Sequence, residues 1–197
     1  MSGGLMDFIL GSSSPRRREL LSSIGIRYKI VVPDIDEKPG DGESPRRFVE
    51  RAANDKLRAI LKKVRVTRDT IILTADTIVV LGKRILGKPS SEGDAFDMLR
   101  RLEGRWHKVY TAFCIYCSGK NISRVVGTDV RFRRLSDSEI REYINTKEPM
   151  DKAGAYAAQG RGATIIKEIR GSYTNVVGLP MAELIEELKR LKIQSEL

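Results

Sequence analysis

The sequence predicts an α/β fold of the mixed α+β kind, built around a twisted mixed sheet with flanking helices. Apolar runs of strand length recur throughout the 197 residues, and segments with helical periodicity and cap residues lie between several of them. Glycine-containing turns join other strands directly as β hairpins. Because a length of 197 residues suits one domain, we expect a single domain over residues 1–197, with two lobes and no separable linker. No internal repeat or low-complexity segment is present.

In the first half of the chain, serine followed by proline marks the helix starts. Ser14-Pro15 and Ser44-Pro45 each place a capping residue before a proline whose fixed φ suits the first helical position. Residues 33–45 are acidic and rich in Gly and Pro, which predicts a loop. The predicted elements are strands at 7–11 and 27–32, helices at about 15–24 and 45–64, and strands at 70–75, 77–81 and 84–87.

In the second half, capping residues and glycines again set the boundaries. Ser91 begins a helix and Gly104 closes it, while Ser136 and Glu139 have the spacing of a capping box. The predicted elements are a helix at about 92–103, a β meander at 107–117 and 122–134, a helix from 136 to about 145, a Gly/Ala-rich loop at 152–163, a strand at 164–169 and a last helix from Pro180.

Composition and charge argue against several classes of protein. Neither a secretory signal after Met1 nor an apolar run of about 18 residues is present, so we expect a cytoplasmic location and no membrane partner. The net charge of +10 is spread along the chain without a zinc finger or an aromatic-rich RNA-binding motif. This favours attraction for acidic small molecules over a stable nucleic-acid partner. Cys114 and Cys117 form an isolated Cys-x-x-Cys within a predicted strand, so neither a redox nor a metal role is favoured.

Three arginines follow the first predicted helix start. Arg16, Arg17 and Arg18 fall in the first turn, at the positive end of the helix dipole, where each cation costs about 0.3–1 kcal/mol. A bound anion reverses that penalty, because backbone amides, the hydroxyls of Ser12 and Ser14 and the guanidinium groups then converge on it. Solvated surface charge is the alternative, but the combination predicts a polyphosphate site. The pattern is not that of a P-loop.

Asp76 lies between two predicted strands and is the candidate catalytic carboxylate. A buried, ionised carboxylate needs a cation, hydrogen-bond donors or a metal ion. Asp76 either bonds its own backbone at a β-bulge or serves as a metal ligand or general base. The second reading is favoured because another acidic cluster, Asp34, Asp36 and Glu37, lies elsewhere in the chain. Such oxygen ligands suit Mg²⁺ or Mn²⁺ bridging to substrate phosphates.

Four further side chains are candidates for packing or ligand contacts. Lys56 falls in the apolar stripe of its helix, where it either snorkels or reaches an anionic pocket, and Lys88 after a short strand could do the same. Gln159 lies among the small residues 152–162, which let the backbone approach a ligand closely, and its amide complements the imide edge of uracil or thymine. The single histidine, His107, has no evident nucleophile partner, so packing or hydrogen bonding is favoured.

Taken together, these segments resemble the Maf family of nucleoside triphosphate pyrophosphatases over nearly the whole chain. Any one block is weak evidence, whereas their order and spacing are specific. Glu103 replaces the family's usual Ser before Gly-Arg, and Ala112 its usual Gly after Thr111, departures that bear on local loop shape and not on the chemistry. The matching blocks are Ser12-x-Ser14-Pro15-Arg16-Arg17, Glu19-Leu20-Leu21, Asp36-Glu37, Ala53-x-x-Lys56, Ala75-Asp76-Thr77, Gly87-Lys88-Pro89, Gly104-Arg105-x-His107-x-Val109-x-Thr111, Lys152-Ala153-Gly154-Ala155-Tyr156-x-x-Gln159-Gly160 and Gly171-Ser172-Tyr173-x-Asn175-Val176-Val177-Gly178-Leu179-Pro180.

The resemblance implies a Maf/inosine-triphosphatase-like fold, with an elongated mixed sheet and two lobes around a deep cleft. It also implies hydrolysis of dTTP, UTP and modified pyrimidine nucleotides between the α and β phosphates, giving a nucleoside monophosphate and pyrophosphate. Asp76 matches the family's proton acceptor, while Arg16, Thr77 and Gln159 match positions that mark the dTTP/UTP branch. The branch acting on 7-methyl-GTP tends to carry Glu in place of Gln159. The other alternative is a nucleotide-binding regulator of septum formation and cell division, and relatives often form homodimers.

Residues and resemblance together predict a metal-dependent pyrophosphatase that uses Mg²⁺ or Mn²⁺. The metal ion and the cationic side chains would stabilise charge on the leaving pyrophosphate. The expected site residues are Glu37 and Asp76 for the metal ion, Arg16, Lys56, Lys88, Ser12 and Ser14 for the triphosphate, and Thr77 and Gln159 for selection of the base.

Overall fold

The structure is a computed structural model that describes residues 7–35 and 38–191. Its helices and strands follow the order that the sequence predicts. They are β1 (Asp7–Gly11), α1 (Pro15–Ser22), β2 (Lys29–Ile30), α2 (Pro45–Leu61), β3 (Thr70–Leu81), β4 (Arg84–Leu86), α3 (Glu92–Leu102), β5 (Trp106–Cys117), β6 (Lys120–Phe132), α4 (Asp137–Asn145), β7 (Ile166–Arg170), α5 (Tyr173–Val177) and α6 (Met181–Arg190). Short 3₁₀ turns cover Glu148–Asp151, Ala153–Ala155 and Gly160–Thr164.

The seven strands form one open mixed sheet with flanking helices. Its strand order is β2-β1-β3-β5-β6-β7, and β4 pairs with β3 off this path. β1 pairs in parallel with β2 and with β3, whereas the β3–β4 and β6–β7 pairs are antiparallel. This combination of parallel and antiparallel pairing with flanking helices confirms the predicted fold class.

Two elements differ from the prediction in ways that matter for the site. β3 is one continuous strand through Asp76, not two strands that flank it. Acidic residues are depleted in strands, which is why the sequence predicts an interruption there. Helix α5 is absent from the prediction, because its five residues, which include Thr174, Val176 and Val177, are too few and too β-branched to give a helical signal.

The chain folds into two compact units, each of which is described by itself. Of the described residues, unit 1 comprises 7–35, 38–76, 111–125 and 178–191, and unit 2 comprises 77–110 and 126–177. The single domain with a cleft between two lobes stays a prediction. Among the described residues, no helix is both long enough and apolar enough to cross a membrane.

Side-chain alternation along β3 separates the hydrophobic core of unit 1 from the candidate site. Ile71, Leu73 and Ala75 of the strand enter the core, so the residues that alternate with them face the other way. On that second face the hydroxyl of Thr74 donates to the carbonyl of Ala53 in α2, 2.8 Å away. Asp76, two residues further along, therefore lies on the face toward α2. The core includes Phe8, Leu10, Leu21, Ile26, Ile71, Leu73, Ala75, Phe113, Ile115, Leu179, Leu184 and Leu188.

Candidate functional site

The central feature of unit 1 is a buried ion pair between Lys56 of α2 and Asp76 of β3. Lys56 Nζ lies 2.6 Å from Asp76 Oδ1, and the two side chains are only 10% and 9% exposed. Helical spacing places Lys56 on the buried face of α2 with Ala52 and Ile60. The ammonium also donates to the carbonyl of Ala75, 3.3 Å away. Asp76 therefore has the cation that its burial requires, and Lys56 is held in the interior instead of extending to solvent.

The guanidinium of Arg17 is buried and bonds to oxygen acceptors within unit 1. Its Nε donates to the carbonyl of Gly178 at 2.8 Å, and its Nη1 donates to the carbonyl of Ala75 at 2.9 Å and to Ser12 Oγ at 3.1 Å. The expectation that all three arginines of this helix start face a bound anion is therefore wrong for Arg17. Arg17 instead fixes the backbone next to Asp76. The sequence does not separate its role from those of its neighbours, because all three arginines share one helical turn.

The other residues predicted to bind phosphate, Ser12, Ser14 and Arg16, lie at or just before the start of α1. Ser14 occupies the N-cap position of α1 with extended backbone, but its side chain makes no capping bond. Ser12 Oγ accepts from the amide of Ser14 at 3.2 Å, so this hydroxyl shapes the loop. The first turn of α1 contains no acidic residue, and Arg16 is half-buried there. The positive end of this helix therefore suits an anion, and phosphate contacts of Ser12, Ser14 and Arg16 stay predictions.

The expected metal ligands are only partly within the described residues. Glu37 and the neighbouring Asp36 lie outside them, whereas Asp76 lies inside. Over residues 7–35 and 38–191, no group of three or more His, Cys, Asp or Glu side chains could hold a metal ion. Mg²⁺ bound to phosphates usually takes one or two carboxylates and completes its shell with water and phosphate oxygens. The carboxylate of Asp76 suits a site of that kind.

In unit 2, the segments that carry Thr77, Lys88 and Gln159 pack together. Thr77 is half-buried in β3, Lys88 is exposed after β4, and Gln159 is half-buried in the predicted Gly/Ala-rich loop. The amide of Gly154 donates to the carbonyl of the residue before Lys88, 2.9 Å away. A Cβ on Gly154 would lie 2.9 Å from side-chain atoms of Val79, so the loop also lies directly on β3. Contacts of these side chains with a base or phosphate stay predictions.

Two side chains that the sequence does not single out, Tyr143 and Glu148, hold the later part of this loop. Tyr143 Oη accepts from the amide of Ala157 at 3.1 Å and donates to Glu148 Oε1 at 2.8 Å. Glu148 Oε1 also accepts from the amide of Gly162 at 2.9 Å, and its Oε2 accepts from the amide of Arg161 at 3.0 Å. The three bonds to the loop amides join residues 13 or 14 positions apart, so no local sequence pattern reveals them.

The glycines of this loop are needed for contacts within unit 2. A Cβ on Gly160, whose φ is +62°, would lie 2.6 Å from Glu148 Oε2. A Cβ on Gly162 would lie 2.1 Å from the carbonyl oxygen of Ala157. Close approach to protein atoms therefore requires glycine at both positions, and the approach of this loop backbone to a ligand stays a prediction.

His107 is a buried packing residue of unit 2, as the sequence favours. Its Nε2 lies 2.8 Å from Tyr156 Oη, and its ring meets Phe132 and Tyr156 edge to face, with centroids 4.9 and 5.3 Å apart. Burial lowers the pKa of His107 to about 4, so the ring is neutral at pH 7. These contacts account for His107 without a catalytic role.

The two cysteines of β5 lie in the interior. Cys114 and Cys117 are free and buried. Burial raises the pKa of the Cys114 thiol to about 12, which keeps it protonated and therefore a poor nucleophile and metal ligand.

These observations define a class of protein. It is an α/β protein with an open mixed sheet and, at the candidate site, a buried lysine–aspartate pair. A family model described as Maf-like protein matches residues 7–191. The chain belongs to this Maf-like family, in agreement with the ordered sequence blocks.

Three relatives that cover almost the whole chain are named dTTP/UTP pyrophosphatase. The relative from Syntrophus aciditrophicus is 45% identical over 92% of this chain and 88% of its own length. The relative from Desulfotalea psychrophila is 48% identical over 91% of this chain and 92% of its own. The one from Clostridioides difficile is 42% identical over 94% and 95%, respectively.

Proposed function

We propose that this chain is a nucleoside triphosphate pyrophosphatase that hydrolyses dTTP and UTP to the monophosphate and pyrophosphate. The observation that carries the proposal is the sequence identity to relatives with that name, which is 42–48% over at least 88% of both chains. The buried ion pair of Lys56 and Asp76 supports it, because it supplies an oriented carboxylate where the proposed reaction needs a proton acceptor.

In the proposed reaction, Asp76 accepts a proton from the water that attacks the α phosphorus in line. A bond forms between this water oxygen and the α phosphorus, and the bond from the α phosphorus to the bridging oxygen breaks. The electron pair leaves with pyrophosphate. Lys56 Nζ donates to Asp76 Oδ1 at 2.6 Å and so fixes the direction of the carboxylate.

Stabilising charge on the phosphates is the larger part of the task. A Mg²⁺ or Mn²⁺ ion held by Asp76 and Glu37 would supply positive charge to the phosphate oxygens and the leaving group. Arg16 at the start of α1 and the exposed Lys88 would add to it, with Ser12 and Ser14 as hydrogen-bonding groups; these are proposals from residue type and position. Thr77 and Gln159 would select the base, because a primary amide complements the imide edge of uracil or thymine.

A substrate panel tests the reaction class. dTTP, UTP, CTP, GTP and 7-methyl-GTP are incubated with Mg²⁺, with Mn²⁺ or with chelator, and pyrophosphate and orthophosphate are measured separately. We expect pyrophosphate from dTTP and UTP, and only with metal. Orthophosphate alone would mean γ cleavage and overturn the proposal. Preference for 7-methyl-GTP would indicate the other branch, and nucleotide binding without turnover would indicate a regulator.

A variant pair tests the role of Asp76. Asp76→Asn should lower turnover of UTP by roughly 10²–10⁴-fold, the usual contribution of a general base. Asp97→Asn changes an exposed aspartate of α3 and should leave turnover unchanged. If folded Asp76→Asn keeps more than about a tenth of wild-type turnover, the assigned role is wrong.

A cytoplasmic location and a homodimer also stay predictions. Light scattering would test whether the chain forms a homodimer.

A further inference from the structure

We propose that Glu148 is a positioning residue that sets base selectivity by holding the loop around Gln159. The inference rests on the proposed function, in which Gln159 reads the edge of the base. Glu148 lies outside the sequence blocks that carry the family resemblance. The proposal is supported by the network formed by Glu148, Tyr143 and the backbone of residues 157–162.

The network holds the loop on both sides of Gln159. Before Gln159, the amide of Ala157 donates to Tyr143 Oη, which in turn donates to Glu148 Oε1. After Gln159, the amides of Arg161 and Gly162 donate to the two oxygens of the Glu148 carboxylate. One carboxylate therefore holds three groups, and the residue between the held amides has little freedom to move.

The loop backbone also fits closely against these two side chains. A Cβ on Gly160 would meet Glu148 Oε2 at 2.6 Å, and a Cβ on Gly162 would meet Tyr143 Oη at 2.6 Å. Both glycines thus permit the approach that the hydrogen bonds require. The hydrogen bonds and the close packing both place the Glu148 side chain against the backbone of the loop that carries Gln159.

Such support matters for base selection because uracil and cytosine differ mainly in the direction of their hydrogen bonds. An amide reads that difference only when its donor and acceptor keep their places, and displacements near 1 Å can cost about a hundredfold in rate. A loop held at both sides of Gln159 preserves selectivity, whereas a released loop loses it.

Glu148→Gln is the most informative substitution, since it keeps the shape of the side chain. A carboxylate offers two acceptor oxygens, whereas an amide offers one acceptor and one donor. In either orientation of the glutamine amide, its NH₂ group faces at least one N–H or O–H donor of the network. Because two donors cannot bond to each other, at least one hydrogen bond is lost. The matched control is Glu142→Gln, at an exposed position of α4.

The experiment measures kcat and KM for UTP and CTP, together with hydrogen exchange of the amides of Ala157, Arg161 and Gly162. In Glu148→Gln we expect the UTP-over-CTP ratio of kcat/KM to fall about tenfold, through KM for UTP, with kcat for CTP within twofold of wild type. The three amides should exchange faster. Glu142→Gln should match the wild type in both measurements.

The other possible results of these measurements would overturn the proposed role of Glu148 or the proposed function. An unchanged UTP-over-CTP ratio in folded Glu148→Gln overturns it, even if the three amides exchange faster. If Glu148→Gln does not fold, Tyr143→Phe removes only the hydroxyl link and should lower the ratio about threefold; an unchanged ratio there overturns the inference. Loss of selectivity with kcat for both substrates reduced equally would indicate general damage and also overturn it. A wild-type chain that hydrolyses no triphosphate would instead reject the proposed function itself.

Discussion

Replacing Lys56 by methionine tests the ion pair on which the site in unit 1 depends. Methionine nearly matches the apolar stem of lysine but has no charge, so the carboxylate of Asp76, 9% exposed, would lose the cation 2.6 Å away. Removing one partner of a buried ion pair costs about 3–5 kcal/mol, because the other charge stays buried without compensation. In a chain of 197 residues, each kcal/mol lowers Tm by about 2–4 °C, so we expect a fall of roughly 6–20 °C.

Urea unfolding followed by circular dichroism measures this loss for Lys56→Met, Asp76→Asn and the double variant. The loss of unfolding free energy in the double variant should be smaller than the two single losses added together, by at least about 2 kcal/mol, because the double variant leaves no unpaired charge. Lys62→Met, at the exposed end of α2, is the control and should change stability by less than about 0.5 kcal/mol. A loss below about 1 kcal/mol in Lys56→Met would refute the reasoning.

The other predictions concern residues of unit 2. Burial lowers the pKa of His107 from 6.5 to about 4, so between these pH values only the unfolded chain takes up the proton. Stability should therefore decrease as the pH is lowered from 6.5 to 4, by about 3 kcal/mol in total. His107→Phe should flatten this part of a urea-unfolding pH series, and equal slopes would contradict the assignment. The backbone amide of Ser136 lowers the pKa of Glu139 to about 2, so the stability difference between wild type and Glu139→Gln should be full at pH 7 and shrink as pH falls from 4.5 to 2; a pH-independent difference would count against this cap. Gly162→Ala should cost at least about 1–3 kcal/mol by overpacking, whereas Gly87→Ala, with open space around its Cβ, should be almost neutral in thermal unfolding.

Local chemistry explains why most element boundaries are predictable from the sequence. The capping box of Ser136 and Glu139 forms at the start of α4 with both of its reciprocal bonds. Proline occupies the first positions of α1 and α2, and Gly104 has the positive φ expected after α3. These signals involve neighbouring residues alone, so they can be read before any tertiary contact is known.

The rest depends on partners that are distant in sequence. The prediction breaks β3 at Asp76 because a carboxylate is unfavourable in a buried strand, but the ammonium of Lys56, 20 residues earlier, makes the continuous strand acceptable. Arg17 has acceptors 58 and 161 residues away, which separates it from the arginines beside it. Glu148 has no local signal for the same reason. Periodicity places Lys56 on the buried face of its helix, yet only the structure shows which carboxylate it meets.

The carbonyl of Ala75 has a consequence for strand registration. It accepts from Arg17 Nη1 at 2.9 Å and from Lys56 Nζ at 3.3 Å, so two cations anchor the peptide bond that precedes Asp76. A register shift of β3 by one residue would move Asp76 to the face that packs in the hydrophobic core and place a neighbouring residue on the face toward α2. Such a shift would also break both anchors at once. The strand is thereby locked in the one alignment that presents its acid to the helix.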